Sequence, residues 1–306
     1  MKKTVFTNTV FVTIFALLCT ALWGSATPFI KTGYLSLKVS GTPSIMLFAG
    51  IRFALAGILT IIICSIIEKK ILYPKKENLK YVGIISIFQT ILQYIFFYVG
   101  LANTSGVKGT ILSGSSAFFS ILVATVIFKQ EKLTAKKIIA CIIGFAGVVV
   151  VNLNGLKLNF NFFGDAFVIF SAISLAISSV LMKIYSKYEN PVVLSGYQFI
   201  VGGLIMIMIG LMSGGNISYE SIKGVGILIY LAFLSAIAYA LWGILLKYNP
   251  ISKVSIFSFM TPVFGVILSK LILNESSAVS LVNVFVALVL ICIGIITVNY
   301  QKQNKK

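Results

Sequence analysis

Histidine is missing altogether from these 306 residues, and only seven positions are acidic. Without imidazole, the commonest metal ligand and the commonest general base are both gone. The four cysteines, Cys19, Cys64, Cys141 and Cys292, stand singly inside apolar runs and form no CxxC pair. They read as small core hydrophobes, not as a disulfide or metal framework. No cofactor and no metal is expected. Charge is also scarce, at 10% of residues where a soluble domain carries about 25%. Hydrophobic residues make up 58%, and a chain so apolar would aggregate in water unless lipid covered it. The charge that remains is lopsided: 25 basic residues give a net charge of +18. Nucleic acid is nevertheless excluded as a partner, because each basic run flanks an apolar one and none collects on a single face or tail.

What is present is long apolar stretches. A helix needs about 20 such residues to cross the hydrocarbon of a bilayer. Hydropathy, with punctuation by Gly, Pro, Asn and Ser, predicts ten helices over residues 10–30, 44–67, 79–102, 106–128, 135–153, 163–185, 191–212, 223–248, 251–273 and 278–299. The expected fold is an all-α polytopic membrane protein whose first span is retained, not removed as a signal peptide. Placing the N-terminus in the cytoplasm puts the lysine-rich segments 69–80, 129–137, 183–187 and 302–306 on that side. The opposite side then holds Lys31, Lys38, Lys157, Lys223 and Lys270. This bias sets both termini inside, in the cell membrane.

The two halves, 1–153 and 154–306, repeat each other. Gly50-Ile51-Arg52-Phe53 with Gly57 matches Gly196-Tyr197-Gln198-Phe199 with Gly203 at an offset of 146. Tyr94 matches Tyr239, Glu131 matches Glu275, and Gly147 matches Gly294 at similar offsets. Five spans per half is an odd number, so the second half enters inverted. The lysine-rich Glu131 loop falls inside, and the lysine-free Glu275 loop falls outside. Two inverted five-helix repeats (5+5) suit a site opened to either side in turn.

The sequence resembles the drug/metabolite transporter superfamily and, within it, the ten-helix EamA-type transporters. The resemblance rests on Ala21-Leu22-Trp23-Gly24, on residues 48–53 with Arg52, and on residues 236–275, which include Tyr239, Trp242, Pro262 and Glu275. It covers nearly the whole chain. One departure is Phe118, which stands where the first-half equivalent of Pro262 often is proline, so the halves are expected to flex differently. The resemblance implies a central cavity and export or exchange of small metabolites such as amino acids, or of drugs.

Arg52 is the chain's only arginine and lies about 12 Å into its span. A charge at that depth costs about 2.5–3.5 kcal/mol. It is either a cavity cation gripping a carboxylate or phosphate, or a structural cation that caps carbonyls or snorkels outward. Lys108 is read as snorkelling, with a place at the cavity mouth as the alternative. Gln89 and Gln93 share one helix face beside Tyr94 and Tyr98, while Ser235, Tyr239 and Trp242 form a stripe. Gln198 is the counterpart of Arg52, and Trp23 is cavity wall or packing. Arg52, Gln93, Tyr94, Gln198, Tyr239, Trp242, Trp23 and Gln89 are thus the candidate substrate-binding residues, with interhelical hydrogen bonding as their plainer role. Serines at helical spacing, including Ser113, Ser116, Ser255 and Ser258, read as close-packing sites. All seven acids fall in loops or at span ends, so no carboxylate-based proton relay is expected in the cavity. Glu131 and Glu275 are read as caps of the helices that follow them.

The expected function is a secondary transporter, an exporter or exchanger of amino acids or related amphipathic metabolites, working by alternating access. Its partners are a small-molecule substrate and the bilayer. A membrane-embedded receptor that binds without transport and an intramembrane enzyme are the alternatives. The second lacks any acid pair at depth.

Overall fold

The computed structural model describes residues 3–104, 106–153, 160–273 and 281–299, and all the regular structure among them is helical. The rods in chain order are α1 Thr9–Ser36, α2 Gly41–Glu68, α3 Lys76–Ala102, α4 Lys108–Ile127, α5 Ala135–Val151, α6 Phe162–Tyr185, α7 Pro191–Met212, α8 Ile222–Tyr248, α9 Ile251–Ile272 and α10 Val282–Asn299. Nine of these, all but α5, are long and apolar enough among the described residues to cross a membrane. With 17 residues, α5 stands at the short end of what a span needs. The Glu275 segment lies outside the described residues.

Local chemistry sets the ends. Asn8, Thr134, Asn190 and Ser221 each accept a hydrogen bond from a backbone amide in the first turn of α1, α5, α7 and α8. The cap of α5 is therefore Thr134, and the expected capping of that helix by Glu131 does not occur. Pro191 takes the first turn of α7, where its missing N–H costs nothing. Along α10, Val282, Phe285, Val289, Ile293 and Ile296 are exposed at spacings of three and four. That is one apolar helix face turned outward, with lipid as its solvent.

Between rods, backbones touch. Lipid is as apolar as the helix faces it covers, so leaving it brings no hydrophobic gain and association rests on close packing, which small residues permit. On α2 and α7, a methyl group added at Gly50 would lie 2.8 Å from Gly203 O, and one at Gly57 only 2.4 Å from Gly196 O. The two helices run antiparallel through this seam. On α5 and α10, a Cβ at Gly147 would meet Ala287 O at 2.9 Å, and one at Gly294 would meet Ala140 O at 2.8 Å.

Three rods leave α geometry at mid-depth. In α3, residues Ser86–Leu92 form a π-helical segment. α4 is interrupted at Ser115, between Gly106–Gly114 and Ser116–Leu122. In α9, Ile256–Phe259 is 3₁₀. Such segments mark hinges and functional sites more often than regular helix does. The interruption of α4 occurs without a proline. Ser115 N bonds to Leu112 O at 3.1 Å, and the Ser115 hydroxyl also donates to Leu112 O. Phe118 therefore does not make α4 a continuous rod where α9 is broken.

Candidate functional site

One stripe of α8 organises the centre. Ser235, Tyr239 and Trp242 follow one another at helical spacing, and each meets a different partner. Ser235 Oγ accepts from Arg52 Nη2 at 3.0 Å and from Nε at 3.2 Å. It donates to Leu231 O at 2.9 Å. The Tyr239 hydroxyl bonds the Tyr94 hydroxyl at 3.0 Å. Trp242 packs edge-on against Trp23 with ring centroids 4.9 Å apart, and Tyr239 lies 5.0 Å from the same Trp23 ring.

Below this stack is a cavity of about 20 Å³ lined by Trp23, Gln89, Tyr239, Trp242, Ser116, Ser120, Ser179, Ser255, Ser258 and four further residues. That is room for about one water, whereas ligand pockets hold about 300–1,000 Å³. The cavity is therefore too small for a ligand of that size.

The structure sorts the sequence candidates into two groups. Trp23, Gln89, Tyr239 and Trp242 line the cavity. Arg52, Gln93, Tyr94 and Gln198 stand outside its lining. Tyr94 touches it through Tyr239, and Arg52 lies one helical turn further along α8. Gln198 is fully buried behind Thr90, whose hydroxyl donates to Gln198 Oε1 at 2.6 Å. Gln89 lines the cavity, whereas Gln93, four residues on, is outside the lining.

Ser116, Ser255 and Ser258, expected as packing sites, line the cavity instead. Ser120 and Ser179 join them without having been singled out. Ser120 stands four residues from Ser116, a spacing that helix packing also produces, and Ser179 has no serine three or four residues away to signal it. Lys108 neither snorkels nor opens onto the cavity. Its ammonium pairs with Asp165, which is 2% exposed and also accepts from the Thr104 hydroxyl and from Asn161 N at 2.9 Å.

Arg52 is 4% exposed and has no carboxylate within ion-pairing distance among the described residues. Its guanidinium carbon stands 5.0 Å from the Phe53 ring centre, a cation–π contact. Four buried polar atoms around the centre lack a hydrogen-bond partner among the described residues: Trp23 Nε1, Gln93 Oε1, Gln198 Nε2 and Ser255 Oγ.

The helix ends nearest the serines are tied down. Glu131 accepts from Lys137 Nζ at 2.8 Å, from Ser252 N at 3.2 Å, and from Ile251 N and the Ser252 hydroxyl. It thus holds the N-terminus of α9, where an anion meets the positive end of the helix dipole. Lys183 Nζ donates to Leu246 O at 3.0 Å and to Asn249 O, at the end of α8. Asn249 Nδ2 donates to Phe6 O at 2.7 Å. Burial pushes the Glu131 carboxyl up, but the bonds from Lys137 and Ser252 outweigh it and hold the group below its ordinary value.

Residues 10–153 and 162–300 each match the model of the EamA-like transporter family. An uncharacterized transporter of Synechocystis is 28% identical over 93% of this chain and 88% of its own. The uncharacterized transporter YyaM of Bacillus subtilis is 28% identical over 71% of this chain and 73% of its own. A chloroplastic WAT1-related protein of Arabidopsis thaliana is 27% identical over 68% of this chain, and the match spans 52% of that longer protein. A solved crystal structure superposes with a TM-score of 0.76 over 94% of this chain and 97% of its own, at 16% identity. That likeness concerns the fold alone.

Proposed function

The chain belongs to the EamA-like transporter family, a multi-pass membrane transporter by that membership, and on this premise we propose that it is a secondary carrier working by alternating access. Its substrates are small metabolites such as amino acids or related amphipathic compounds, moved by export or exchange. Substrate binds where the cavity beneath Trp23, Tyr239 and Trp242 now stands contracted.

The observation that carries this reading is a symmetry of contacts. Shift Gly50 and Gly57 by 146 positions and they become Gly196 and Gly203; the pairs Gly50–Gly203 and Gly57–Gly196 then exchange into each other. Shift Gly147 by 147 and it becomes Gly294, while its neighbours Ala287 and Ile291 map back onto Ala140 and Gly144, the neighbours of Gly294. Tyr94 and Tyr239 are 145 apart and bond each other. Contacts that survive an exchange of halves support two inverted five-helix repeats about an axis in the membrane plane. The equivalent breaks in α4 and α9 supply hinges on both sides of that axis. The lysine-rich loops support a cell-membrane protein with both termini in the cytoplasm. No residue lining the cavity is acidic, so the carrier has no carboxylate there to carry a proton, which favours uniport or exchange.

Counterflow in proteoliposomes tests the reading. Vesicles preloaded with an amino-acid and metabolite panel should take up labelled substrate transiently and saturably. Absence of saturable uptake across the whole panel would overturn transport and leave a binding protein.

A further inference from the structure

We infer that the substrate is a monoanion, a carboxylate on an apolar body, whose charged end docks on Arg52 while its body lies against Trp23, Tyr239 and Trp242. The inference rests on the carrier reading and names the chemical class for its site.

A buried guanidinium without an anion is an expensive arrangement, and buried charges are otherwise paired. Lys108, Lys137 and Lys38 each have their acid in Asp165, Glu131 and Glu220. Arg52, more buried than any of them, has a serine hydroxyl and the face of the Phe53 ring but no acid among the described residues. That hydroxyl accepts two of its five N–H groups. Both bonds use Nε and Nη2, and Nη1 has no hydrogen bond among the described residues. The Ser235 contacts hold the planar fork on one side and leave the other free for a second acceptor.

An unmatched neutral donor points the same way. Trp23 Nε1 is buried, has no hydrogen-bond partner among the described residues and carries a proton to donate. Tyr34, Tyr94, Tyr98 and Tyr239 all lie near enough to Arg52 to feel its charge. A cluster of donors around one fixed cation is complementary to an anion and repels a cation. Nor does the centre offer an acid to an ammonium group, since none of the cavity-lining residues is acidic. A zwitterion can use the guanidinium but leaves its ammonium to serine and glutamine oxygens, and an amine gains nothing from Arg52. The expected order is therefore anion, then zwitterion, then cation. The single compensating charge also disfavours a dianion, whose second carboxylate would face the aromatic walls.

The chain supplies its own probe. It has two tryptophans, Trp23 and Trp242, and both line the cavity. Three ligands with the same phenyl body separate charge from shape: 3-phenylpropionate, phenylalanine and phenethylamine. Each is titrated into the purified full chain in nanodiscs at neutral pH, reading tryptophan fluorescence, and the same three compounds serve in counterflow. The carboxylate should bind tightest and the amine weakest. Arg52→Gln should weaken the carboxylate by about 10- to 100-fold, the size of a charge-assisted contact, without weakening the amine. Arg52→Lys keeps the charge and should keep the order, with lower affinity because the two-pronged grip is gone. It also serves as the folded control if Arg52→Gln proves unstable. Equal affinity for all three, no response to the carboxylate, or an order unchanged in a folded Arg52→Gln overturns the inference. Charge-selective binding with no counterflow would overturn the carrier and leave the inference standing. Counterflow indifferent to charge would do the reverse.

Discussion

Replacing Glu131 by Gln should open the serine-lined cavity toward the Glu131 loop. The carboxylate joins the loop after α4 to the start of α9 through Ile251 N, Ser252 N and the Ser252 hydroxyl, and it pairs with Lys137. Glutamine keeps one carbonyl oxygen for the two amides. It loses the charge, the ion pair and the acceptor for the hydroxyl. A hydrogen bond to a charged group is worth about 1.5–3 kcal/mol, and an anion at a helix N-terminus about 0.3–1 kcal/mol. Retention of the amide contacts recovers part of this, so we take about 2 kcal/mol, roughly 30-fold in the equilibrium between closed and open. Ser258 lines the cavity near that end. In a variant with the four native cysteines replaced, Ser258→Cys should react with a membrane-impermeant maleimide roughly 30-fold faster once Glu131→Gln is added. Acid should do the same with Glu131 intact. Its carboxyl is held below the ordinary value when bonded, so the tie is at full strength above that ordinary value and is lost as pH falls through the depressed one. Labelling unchanged by both Glu131→Gln and acid would refute the role of Glu131 as a tie.

The seam between α2 and α7 makes a sharper steric demand. Gly57→Ala places a methyl group 2.4 Å from Gly196 O and should cost about 1–3 kcal/mol in thermal stability. Gly83→Ala, with nothing within 4 Å, should be neutral or stabilise by up to about 1 kcal/mol. Equal melting temperatures for the two variants would contradict the packing account. Thr90→Val removes the only bond to the Gln198 side chain among the described residues and should cost about 1–3 kcal/mol, because a buried amide is left unpaired there; chemical denaturation in mild detergent measures it. Tyr94→Phe deletes the hydroxyl pair with Tyr239 while keeping the ring, and should cost less than about 1.5 kcal/mol. Its larger effect should be on counterflow rate, so a stability loss with unchanged flux would place the pair outside the transport cycle.

Much of the architecture is legible in the sequence because lipid imposes one rule on every span: an apolar run of sufficient length, ended by caps. Asn8, Thr134, Asn190 and Ser221 are such caps, and each acts within three residues of its own position. The run-length rule fails at the start of the chain, where α1 continues past residue 30 to Ser36, through Pro28 and the polar Thr32. The Thr32 hydroxyl satisfies Pro28 O at 3.0 Å. The rule does find α5, predicted over 135–153 and formed over Ala135–Val151, although that helix is short for a span.

The centre is less legible, for a different reason. Glu131 bonds residues about 120 positions away, and Lys108 finds its acid 57 positions on. Neither pairing leaves a local trace, so Glu131 reads as the cap of the next helix and Lys108 as a surface anchor. Gln89 joins the cavity lining and Gln93 does not, a difference that their shared four-residue spacing does not announce. Serine is ambiguous by its nature: the small side chain that lets helices approach also offers a hydroxyl to a cavity. Arg52 is the opposite case. A lone arginine in a lysine-only chain, deep in an apolar run, is conspicuous in the sequence, and burial without an acid makes it more so.

The central claim is that one site is opened alternately to the two sides of the bilayer. A single cysteine at Ser120, deep in the cavity lining, tests it most directly in oriented vesicles, with an impermeant thiol reagent applied to one side at a time. The account predicts modification from either side, with substrate slowing both. A residue reachable from one side alone under every condition, with or without substrate, would contradict it.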